Sequence, residues 1–84
     1  MERLRILIVD DEEDLVATMA ERMALRDVQA EAVTSGLDAL QCMREREFDT
    51  IVLDVKMPGI DGLQLLAEIR RKYPNLPIVM LTAK

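Results

Sequence analysis

Two adjacent aspartates, Asp10 and Asp11, follow the apolar run Ile6-Leu7-Ile8-Val9, and a third, Asp54, follows Ile51-Val52-Leu53. A short β-branched run that stops at acids reads as a buried strand whose carboxyl end opens on polar chemistry. In open parallel sheets, ligands bind outside those carboxyl ends, where strand order reverses. If the two runs are neighbouring strands, three carboxylates share one crevice. Like charges a few ångströms apart repel and raise one another's pKa. A divalent cation removes that penalty, and carboxylates with a backbone carbonyl and waters suit Mg²⁺ better than a closed calcium cage.

The elements that must position these acids follow from periodicity. After the acids Glu12-Glu13-Asp14, the apolar residues Leu15, Val16, Met19, Ala20 and Met23 recur at helical spacing. The acids before them occupy a first turn, where they complement the helix dipole. Val28-Gln29-Ala30-Glu31-Ala32 alternates and predicts a half-buried edge strand. Ser35 with Asp38 resembles a helix N-cap, and Leu37, Leu40 and Met43 carry the second helix. Phe48 to Leu53 predicts a third strand. Lys56 to Gly62 is a loop punctuated by Pro58, Gly59 and Gly62. Leu63, Leu66 and Ile69 mark a third helix ended by Pro74, and Pro77 introduces a last strand, Ile78 to Leu81. The pattern β-α-β-α-β-α-β predicts an α/β fold with a parallel sheet and helices on its faces.

Composition narrows the function classes. The chain has 84 residues, half of them apolar, and a formal charge of −5. That length predicts one domain, 1–84, and the acidic balance disfavours direct contact with nucleic acid or an anionic membrane. No apolar run is long enough for a signal peptide or a membrane span, so a soluble cytoplasmic protein is expected. The lone Cys42 can form no internal disulfide, and without any His there is no His-based catalysis or metal site. Phe48 and Tyr73 are the sole aromatics, so the core must be aliphatic and Met-filled.

The acidic pair, the later Asp, the string Asp54-Val55-Lys56-Met57-Pro58-Gly59-Ile60-Asp61-Gly62 and the ending Leu81-Thr82-Ala83 resemble the receiver domain of bacterial two-component response regulators. The resemblance covers essentially the whole chain. It implies a flavodoxin-like doubly wound sheet of order 2-1-3-4. It implies that Asp54 is the phosphoacceptor, a carboxylate nucleophile that becomes an acyl phosphate. Asp11 matches the direct metal ligand, Asp10 its partner, and Lys56 the residue whose backbone carbonyl completes the Mg²⁺ shell. Thr82 matches the switch hydroxyl and Ala83 the small residue beside it, with Met57, Pro58 and Gly59 shaping the loop over the site. The implied partners are a sensor histidine kinase and an output domain or homodimer partner.

The family also carries two further helices, a fifth strand and an essential Lys at that strand's end. Lys84 does not match that residue. The expectation is therefore a C-terminally incomplete receiver: a fragment, a chain with a remainder not in view, or one completed by a partner. Its first helix would cover one sheet face alone, and the fourth strand's edge would be open.

Blander readings accompany each feature. Asp10 to Asp14 taken alone is a helix cap and a solvated first turn, and Asp54 alone is a strand-end turn former. Thr82 alone says little, Cys42 is a small packing residue, and Met19, Met23 and Met43 belong to the core. Two competing functions remain. A haloacid-dehalogenase-type phosphohydrolase would use Asp10, but Glu12 stands where that class carries Asp. A phosphorylation-independent module of receiver fold usually loses one of the three acids, and all are present.

Overall fold

Four strands alternate with three helices in the computed structural model, which describes residues 4–54 and 62–81. The elements are β1 (Arg5–Val9), α1 (Glu13–Ala24), β2 (Gln29–Val33), α2 (Gly36–Glu45), β3 (Thr50–Asp54), α3 (Gly62–Lys72) and β4 (Ile78–Leu81). All three strand pairings are parallel, in the order β2-β1-β3-β4. The expected order is therefore observed, and β2 lies at an edge, in keeping with its alternation.

Five strand boundaries move: β1 begins at Arg5 rather than Ile6, β2 ends at Val33 rather than Ala32, β3 ends at Asp54 rather than Leu53, and the starts of β2 and β3 shift as well. β2 runs from Gln29 rather than Val28, because a helix-ending turn uses Val28 first. The Asp27 N–H donates to the Ala24 carbonyl (3.1 Å) and the Val28 N–H to the Met23 carbonyl (2.9 Å). Asp27 takes a left-handed φ of 64°, a conformation that short polar side chains tolerate at helix ends. β3 starts at Thr50 rather than Phe48, and Phe48 packs against the core ahead of the strand.

Register explains the two-sided core. Ile8 aligns with Ala32 and Val52, while Leu7 aligns with Glu31 and Ile51. Side chains alternate along a strand, so these rows point to opposite faces. On one face Leu7, Val9, Ile51 and Leu53 pack with Ala39 and Met43 of α2 and Leu65 and Ile69 of α3. On the other, Ile8 and Val52 meet Val16 of α1, flanked by Met19 and Met23. Helices on both faces make the sheet doubly wound. Leu7, Ile8, Val9, Ile51, Leu53 and Ile69 are fully buried, each contributing about 1.5–3 kcal/mol by burial.

α1 is the one described helix on its face, as expected. β4 hydrogen-bonds to β3 and to no other described strand, and its Val79 and Met80 are exposed.

Candidate functional site

Asp10 is the first residue beyond β1. Its N–H donates to the Val33 carbonyl (3.2 Å), carrying the β1–β2 ladder one step past the strand. Its side chain folds back under the turn into α1, where Oδ1 accepts from the Glu12 N–H (3.1 Å). Asp10 is consequently only 3 % exposed, whereas its neighbour Asp11 is exposed. Asp54 is the final residue of β3 and is half-buried. Because β1 and β3 are adjacent and in register, their ends coincide. One carboxylate oxygen each from Asp10, Asp11 and Asp54 lies within 4.8 Å of the others.

The electrostatics of this triad work against it. Burial pushes the Asp10 carboxyl above its usual value; the Glu12 N–H opposes that shift, while the charge of Asp54 adds to it, followed by a side-chain hydrogen bond with Asp11 and the charge of Asp11. With both ionised, two carboxylates this close repel by on the order of 3 kcal/mol at an effective dielectric of about 20. A single hydrogen bond is worth about 1 kcal/mol net, so the Glu12 N–H cannot offset the repulsion. A hard dication can. Three convergent carboxylate oxygens at an open strand end are the donor set of an ion that keeps several waters, which is the habit of Mg²⁺.

Other residues named from sequence fall differently. Lys56, Met57, Pro58 and Gly59 lie outside the described residues, as do Thr82 and Ala83. Thr82 directly follows Leu81, which aligns with Asp54 across the β3–β4 pair. Gly62 opens α3 and is buried. Ser35 caps α2, its hydroxyl accepting from the Asp38 N–H (3.1 Å) as expected.

Sequence reasoning passes over Thr34. With Asp11, Glu12, Glu13 and Asp14 it lines an open groove of about 500 Å³ beside the triad. The signal that could have found it is topological: Thr34 follows β2, so it must emerge at the same sheet end as Asp10 and Asp54.

A second charged group lies at the β2 edge. Glu31 Oε2 accepts from Arg46 Nη1 (2.7 Å) and from the Cys42 thiol (3.3 Å). Burial pushes the Cys42 thiol up, Glu31 pushes it further, and Arg46 opposes the rise. A raised thiol pKa makes a poor nucleophile, in keeping with the packing role expected for Cys42.

Comparison with known proteins places the fold and the family. Residues 6–84 match the family described as the response regulator receiver domain. The transcriptional regulatory protein TcrA of Mycobacterium tuberculosis is 36 % identical over 81 residues, covering 96 % of this chain and 32 % of TcrA. The chain thus spans about a third of that relative. The response regulator TrrA of Thermotoga maritima in complex with Mg²⁺-BeF superposes with a TM-score of 0.88 at 34 % identity, covering 96 % of this chain and 70 % of TrrA. TrrA bound to the histidine kinase ThkA gives a TM-score of 0.87 at 35 % identity, covering 95 % of this chain and 69 % of that one.

Proposed function

Since this chain belongs to the response regulator receiver domain family of two-component systems, we propose that it accepts a phosphoryl group on Asp54 from a phosphohistidine of a sensor histidine kinase. The convergence of three carboxylates at adjacent strand ends carries the reading. An Asp54 carboxylate oxygen forms the bond to phosphorus, the phosphorus–imidazole nitrogen bond breaks, and the imidazole takes up a proton. The product is an acyl phosphate on the protein. Asp54 is half-buried and therefore reachable by a donor side chain. Asp10 is buried, which suits a positioning acid rather than a nucleophile. That placement also weighs against a phosphohydrolase acting through Asp10.

Asp10, Asp11 and Asp54, with the Lys56 backbone carbonyl, are the residues to hold Mg²⁺, which would supply charge neutralisation for the transferring oxygens. Thr82 is assigned the switch hydroxyl, Ala83 the clearance beside it, and Met57, Pro58 and Gly59 the loop over the site. TrrA, solved both with Mg²⁺-BeF and with a histidine kinase, supports the metal and the partner class. The chain's share of TcrA supports an output domain as a further partner. The output is a signal and not a turnover product.

The test is acetyl phosphate with Mg²⁺, read by intact mass. The parent gains one phosphoryl group and Asp54→Ala gains none. Equal uptake by both removes Asp54 from the role.

A further inference from the structure

We draw no further inference here: the strongest candidate, the open cavity of about 280 Å³ between the carboxyl ends of α2 and α3, lined by Met43, Glu47, Phe48, Tyr73 and Leu76, carries none because nothing in the structure shows what covers it.

Discussion

Asp10 and Glu31 are both carboxylates set into the same sheet, and their surroundings are opposite. Glu31, on the edge strand, accepts from Arg46 at 2.7 Å and from the Cys42 thiol. Asp10, beyond the neighbouring strand, is buried against the charges of Asp54 and Asp11. At the β2 edge a cation answers the acid, and the group closes the flank of the larger core cluster. At the carboxyl end, the fold gathers like charges where they oppose folding. A perturbed acid among like charges in one crevice is a candidate site for binding or chemistry. The contrast separates the two acids more sharply than burial alone, since neither is fully exposed.

The largest effect expected from this comparison is on metal binding. Asp11→Ala removes an exposed oxygen ligand and leaves the buried Asp10 in place. Even outer-shell partners of a metal commonly cost about 10–100-fold in affinity, so Asp11→Ala should weaken Mg²⁺ binding at least tenfold by calorimetry. Glu31→Ala should leave that affinity unchanged. Comparable losses in both variants would erase the distinction between the two groups.

Stability against pH sharpens it next. Asp10 is raised in the fold, so its protonated form is favoured there. The stability linked to that proton is fully present below the unfolded pKa and lost as pH rises through the folded one. Asp10→Asn keeps an oxygen for the Glu12 N–H and removes the charge. Without metal, its melting temperature should match the parent's in acid and exceed it by several degrees at pH 7, with Mg²⁺ closing the gap by stabilising the parent. A parent and variant that track together at every pH would show that the acids do not strain the fold.

Much of this is legible in the order of residues alone. The runs Ile6 to Val9 and Ile51 to Leu53 are long enough and apolar enough to mark both strands, and the acids at their ends mark where the candidate site sits. Helices α1 to α3 follow from 3.6-residue spacing, and Ser35 from cap chemistry. Two kinds of feature stay hidden. The one-residue shift of β2 depends on backbone bonds that use Val28 to end α1, and the apolar pattern is blind to those bonds. The Glu31–Arg46 contact joins residues 15 apart, on a strand and a helix whose relative placement no local pattern encodes. Asp10 and Asp11 read identically in sequence, and only the turn into α1 makes one buried and the other exposed.

The smallest effect lies in the thiol beside Glu31. Exposed ion pairs contribute about 0.2–1 kcal/mol, so Arg46→Ala should cost stability only within that range. Reactivity reads the same group more finely. Arg46 holds the Cys42 thiol down while Glu31 holds it up. Arg46→Ala therefore raises the thiol pKa and slows alkylation by iodoacetamide at fixed pH, whereas Glu31→Gln lowers it and speeds alkylation. The change should be a few-fold in each direction, because burial remains the largest cause of the shift and neither substitution removes it. A parallel hydrogen-exchange comparison distinguishes the electrostatic effect from local opening, which would accelerate both variants alike. Opposite changes in rate establish Glu31 as an acid balanced by a neighbouring cation, the condition that the Asp10 crevice lacks within its own carboxylates. Equal rates in all three proteins would mean that solvent screens the β2 edge completely and that its contrast with the carboxyl end rests on burial alone.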